Sequence, residues 1–147
     1  MEGLKTYKRQ ELQAFYTPRI GEQKLGDTIE CISEISQLRA SSAKFVLLGI
    51  PEEIGVKANL GVGGTSSLWE AFLGAFLSVQ SNNWLSPKDI VLLGQVEAPN
   101  AQADSVAELR SQVDTLDDIV FPILEKIVRA GKIPIVIGGG HNNAFPI

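Results

Sequence analysis

The sequence predicts an α/β fold of three layers, αβα, built on a parallel sheet, and three observations carry that prediction. Three apolar runs, Phe45-Val46-Leu47-Leu48, Ile90-Val91-Leu92-Leu93 and Ile133-Pro134-Ile135-Val136-Ile137, each close on glycine, the pattern of strands buried on both faces. Amphipathic segments separate the runs, so strand and helix alternate in the order that yields right-handed crossovers. The third run leads through Gly138-Gly139-Gly140 to His141, which places a histidine just past the carboxyl edge of the sheet, where ligands of open parallel sheets collect.

Taken in order, residues 1–43 read as an irregular lead-in and a short helix. Pro18, Gly21 and Gly26 break any long period before residue 27. Asp27 and Glu30 stand in N-cap and N3 relation, and Ile29, Ile32, Ile35 and Leu38 follow on one helical stripe, which predicts an amphipathic helix to about Ala40 with Cys31 packed beside it. Residues 44–147 carry the α/β repeat. The first strand spans 44–50 and opens into a glycine-rich loop from Pro51 to Ser66, longer than a tight strand-to-helix connection needs. Ser67 and Glu70 suit a capping box, after which Leu68, Trp69, Phe72, Leu73, Phe76 and Leu77 cover more than half a helix circumference and predict burial on several sides.

The second strand spans 89–96, with Glu97 beyond it as a solvated loop carboxylate that could also face the crevice of His141. From Ser105 the stripe Val106, Leu109, Val113, Leu116, Val120, Ile123 and Ile127 predicts a long helix with one inward face. Ser105 with Glu108 suits its start, and Lys126, Arg129 and Gly131 suit its end. Pro122 lies in phase but lacks a backbone donor, which predicts a kink or a break near Asp118. Asp114, Asp117 and Asp118 read as charge on a solvated face. The third strand spans 133–138. No helix follows to cover it, so the sheet reads as incomplete, part of a larger protein, and the uncovered face favours a homo-oligomer.

Composition bounds the function classes. The chain has 147 residues, 44% hydrophobic and 20% charged, as in soluble globular proteins. Its 13 basic and 17 acidic residues give a net charge of −4, which offers no surface for nucleic acid or anionic membranes. Cys31 is the only cysteine, which excludes an internal disulfide and multi-thiolate zinc, and with no signal-like or membrane-spanning apolar run the expected location is cytoplasmic.

The chemistry-bearing residues are few. His141 is the only histidine, so a divalent ion held there needs carboxylates as its other ligands. Gly61-Val62-Gly63-Gly64-Thr65-Ser66 could hold an anion on backbone donors, but it lacks the lysine of a P-loop and does not complete Gly-x-Gly-x-x-Gly. Ser66 and Ser67 have no histidine nearby in sequence to activate a nucleophile. A non-catalytic α/β module that binds a small anion or serves in assembly therefore stands as one reading.

The other reading comes from a resemblance. Gly138-Gly139-Gly140-His141-Asn142-Asn143-Ala144 resembles the first metal-binding motif of the arginase, agmatinase and formimidoylglutamase family, the ureohydrolases, and the likeness extends from Phe45 to Ala144 through the Leu48-Gly49-Ile50-Pro51 strand exit and its glycine-rich loop. Gly140, where arginases usually carry aspartate, leans toward the formimidoylglutamase-like branch, while Asn142 departs from the serine or glutamate frequent there and leaves the substrate open. The resemblance implies an arginase-like fold, His141 as one manganese ligand, and hydrolysis of a C–N bond in a small linear amidine or guanidine by a hydroxide activated between two manganese ions. The family's remaining ligands come from an Asp-x-His-x-Asp and an Asp-x-Asp-x-x-Asp motif, and neither occurs in these residues. The resemblance thus implies an N-terminal segment with one metal ligand, no catalytic residue of its own, and no activity in isolation.

Overall fold

The three apolar runs form three long strands in a computed structural model that describes residues 1–147. Strand β3 (Phe45–Ile50) is central, with β4 (Ile90–Val96) parallel on one side and β5 (Ile133–Gly138) parallel on the other. Two-residue strands β1 (Leu4–Lys5) and β2 (Glu30–Cys31) both lie on the outer edge of β4, β1 antiparallel and β2 parallel. The chain is therefore mixed α/β with a mostly parallel sheet, and the three predicted strands fall within a residue of their expected bounds.

Strand alternation divides the core in two. Val46, Leu48, Ile50, Val91 and Leu93 point to one face, where they meet Leu116, Val120, Ile123 and Ile127 of helix α4 (Val106–Arg129). Leu47, Ile90 and Leu92 point to the other, against Trp69, Leu73 and Leu77 of helix α3 (Leu68–Leu77). The two helices thus cover opposite faces. On β5 this alternation is incomplete: Ile133 and Ile135 remain 45% and 38% exposed, the uncovered face expected from the sequence.

Helix α4 starts as predicted, with the Ser105 hydroxyl accepting from the Glu108 N–H at 3.2 Å, and ends before Gly131 at φ 75°. The break expected near Asp118 does not occur. One helix runs through Pro122, because buried residues on both sides of it, Leu116, Val120, Ile123 and Leu124, hold the helix to the sheet while a single backbone bond is lost. Helix α3 differs at its start: Ser67 makes no capping bond and instead donates from its hydroxyl to the Gly64 carbonyl at 3.0 Å, closing a 3-10 turn over Thr65–Ser67.

The predicted helix from Asp27 to Ala40 is absent. A four-residue helix α1 (Leu25–Thr28), strand β2 and a 3-10 turn over Ile35–Arg39 replace it, and Asp27 caps from the N3 position by accepting the Lys24 N–H at 2.7 Å. The physical cause is competition for carbonyls. Arg9 donates to the Gly26 carbonyl at 2.7 Å and to that of Ile29, the second of which a helix from Asp27 would need, while β2 engages β4. Nor is the lead-in loose: Tyr7, Leu12 and Tyr16 are buried in the α3-side core, where Trp69 donates from its indole N–H to the Tyr7 hydroxyl at 3.0 Å and Tyr7 donates to Gln95. Cys31 is half-buried there, and burial pushes its thiol pKa up, so it packs rather than reacts. No helix is long and apolar enough to cross a membrane.

Candidate functional site at the strand exits

Strand β3 runs into helix α2 (Ile54–Ala58), which packs against α4, before the chain crosses to α3 on the other face, while its neighbour β4 leads to α4. The loops that follow β3 and β4 flank a gap at the carboxyl edge. An open crevice of 280 Å³ lies there, lined by Pro51, Glu52, Glu53 and Ser66 on one side and by Ala98 to Ala101 on the other. Glu97, exposed beside it, does not line the crevice.

The loop after β3 is more ordered than its glycines suggest. Helix α2 (Ile54–Ala58) occupies its first part, anchored by buried Ile54 and Ala58. Glu53 forms an ion pair with Lys57 and accepts the Gly64 N–H at 2.7 Å, and these contacts, Lys57 foremost, hold its carboxyl below the usual glutamate range. The Gly64 donor, which an external anion would need, is thereby taken by the chain's own carboxylate. Ser66 sits near the same carboxylate at 3.4 Å, with no histidine in reach among its hydrogen bonds.

The second half of the site is the exit of β5. The ladder to β3 continues one residue past the strand, through the Gly139 N–H to the Ile50 carbonyl at 3.0 Å, and a 3-10 turn over His141–Ala144 follows. His141 opens that turn, is exposed, and has an imidazole that makes no hydrogen bond within the chain. The predicted position at the sheet's carboxyl edge is therefore found, although the crevice between β3 and β4 does not include it.

Between the two halves stands Glu52, which the sequence does not distinguish from Glu53. Glu52 is 2% exposed and Asn143 is 5% exposed. One Glu52 oxygen accepts the Gly140 N–H at 2.5 Å and the Asn143 side-chain amide at 2.8 Å; the other accepts the Gly55 N–H at 3.2 Å. Its own carbonyl accepts the Thr65 hydroxyl at 2.7 Å. The glycines make this approach possible, since a Cβ on Gly139 would overlap the Glu52 carbonyl oxygen and one on Gly55 would overlap the Asn142 side chain.

Asp117, expected as surface charge, is instead partly buried, with one carboxylate oxygen out of solvent and without a hydrogen-bond partner. Burial raises its pKa, and the negative fields of Asp114, Asp118 and Glu52 raise it further. A carboxyl whose folded pKa is raised contributes stability that is complete below its unfolded value and is lost as pH rises through the folded one. Asp117→Asn is therefore expected to raise the denaturant midpoint at neutral pH, with the gain vanishing below the ordinary aspartate range. A gain that persists at acid pH would point to a cause other than charge.

These residues test a metal site directly. No group of three or more His, Cys, Asp or Glu side chains converges anywhere in the fold. The free imidazole of His141 suits one ligand of a divalent ion, but the donor set as a whole does not fit a binuclear manganese centre.

The geometry defines an α/β unit with a mostly parallel sheet and a lone histidine just past the third long strand. No family model matches the chain, and no curated protein does. Among solved structures it is similar to a Trypanosoma cruzi formiminoglutamase with Mn2+, at 20% identity and a TM-score of 0.48, over 85% of this chain and 38% of that one. The chain thus spans well under half the length of that enzyme.

Proposed function

We propose that these residues are part of a manganese-dependent hydrolase of C–N bonds in linear amidines or guanidines, of the arginase, agmatinase and formimidoylglutamase type, to which they contribute His141 as a metal ligand. The observation that supports it most is the β5 exit: the motif Gly138 to His141 stands at the carboxyl edge of a parallel sheet, with its imidazole unengaged by the chain. The leaning toward the formimidoylglutamase-like branch rests on Gly140 alone. Manganese and substrate then need carboxylates from outside these 147 residues, and no hydrolytic step is assembled from the side chains present.

The 147-residue chain is accordingly expected to bind manganese weakly or not at all in calorimetry. It is expected to release no ammonia or urea from arginine, agmatine or formimidoylglutamate. One neutral imidazole does not neutralise or hold two divalent ions. In a protein that joins these residues to the two aspartate motifs, both properties are expected to appear and to be lost on His141→Ala. Tight stoichiometric binding or turnover by the 147 residues alone would overturn the proposal, and so would an extended protein indifferent to His141.

A further inference from the structure

Glu52 is the only buried carboxylate of the chain, and it has no cationic partner: the ion pairs are Arg19–Glu22, Lys57–Glu53 and Arg129–Glu125. Its acceptors are filled by neutral donors alone, two of them from the β5 exit turn. Burying a charge among neutral dipoles is unfavourable compared with burying an amide or an apolar group, so holding strands together is a poor explanation. The strands are already held. Strands β3 and β5 pair along their whole length from Phe45 to Gly138, and the ladder bond of Gly139 extends that pairing.

Where the ladder stops, Glu52 begins. The first backbone donor beyond it, on Gly140, goes to the carboxylate, as does the side chain of Asn143, so the residues on both sides of His141 are tied to one group. A charged acceptor makes these bonds shorter and stronger than a neutral one could. Through Gly55 the same carboxylate fixes this turn relative to α2.

We propose that Glu52 is a positioning residue for His141: it sets the direction in which the imidazole leaves the β5 exit, without itself touching a ligand. The functional sense of that direction rests on the reading of His141 as a metal ligand, but the turn can be measured without metal. The test is amide hydrogen exchange and His141 χ1 couplings in the 147-residue chain and its Glu52→Ala and Glu52→Gln variants. In Glu52→Ala, the Gly140 amide is expected to exchange about 10- to 100-fold faster than in the parent, beyond any change in the β3–β5 ladder, and His141 to average over rotamers. Glutamine keeps a carbonyl oxygen for Gly140 and Asn143 but turns its amide toward the Gly55 donor. Glu52→Gln should therefore hold Gly140 within about 3-fold of the parent while releasing Gly55. That split also decides the matter if the alanine variant does not fold.

An unchanged Gly140 amide and His141 rotamer in Glu52→Ala would overturn the proposal, as would Gly55 and Gly140 rising together with the ladder in Glu52→Gln. Manganese added to a protein that joins these residues to the two aspartate motifs reports separately, through paramagnetic broadening of the His141 ring signals. Its absence counts against the ligand reading and leaves the exchange result to judge Glu52.

Discussion

Trp69→Ala is expected to be the most damaging single change, costing about 3–5 kcal/mol of unfolding free energy, or roughly 6–20 °C in melting temperature for a chain of this size. The indole is fully buried and lies against Gly49 of the central strand, where an added Cβ would meet its ring carbons. It also stacks at 6.0 Å on Phe72, which stacks at 5.2 Å on Phe76, so removing it leaves a void that helix α3 cannot close without leaving the sheet. The loss extends to the lead-in, because the Tyr7 hydroxyl accepts from that indole and donates to Gln95. Denaturant titration of the variant checks the magnitude; a cost below about 1 kcal/mol would mean that the α3 face is not a packed core.

Gly139→Ala is expected to cost about 1–3 kcal/mol, toward the upper end, and to displace the turn that carries His141. The reason is what the new methyl group would strike. A flexible side chain could move aside, but the obstacle is the carbonyl oxygen of Glu52, part of a backbone turn that also accepts the Thr65 hydroxyl at 2.7 Å. Gly131→Ala serves as the contrast: nothing lies within 4 Å of its Cβ, so that change carries only the conformational penalty of φ 75°. Equilibrium unfolding of the two variants, with the Gly140 amide followed in each, separates steric collision from backbone strain. Gly139→Ala with parent-like stability and a parent-like Gly140 amide would show that the turn has slack.

The strands were legible because a strand buried on both faces needs little beyond a continuous apolar run, although Gly49 and Gly94 lie inside β3 and β4 and only Gly138 closes its strand. The start of α4 was legible for a similar reason, since a serine cap acts over three residues of sequence. The region from Ile29 to Leu38 was not. Ile29, Ile32 and Leu38 are all buried, as a helical stripe requires, but a short strand and a 3-10 turn bury them as well, and the choice was made by Arg9 some twenty residues away. Glu52 was illegible for a related reason. Two adjacent glutamates in a loop look alike, and only the return of the chain at Gly140 makes one of them a buried acceptor and leaves the other to a lysine four residues on. His141 could be placed at an edge from its own neighbours, while the group that holds its turn lies 88 positions from Gly140 in sequence.

The outer side of β4 also bears on how the molecule is assembled in time. Two fragments of opposite direction share that edge, Leu4–Lys5 against Gln95 and Val96, and Glu30–Cys31 against Val91 and Leu92. Both precede their partner in the chain, so during synthesis from the N-terminus they wait, unpaired, until β4 has left the ribosome. Closing so long a loop carries an entropy that short-range contacts do not, and the pairing is two residues deep in each case. Each of these pairings closes a longer loop than that of β3 with β4, and until both are made the outer edge of β4 is open to a strand from another chain.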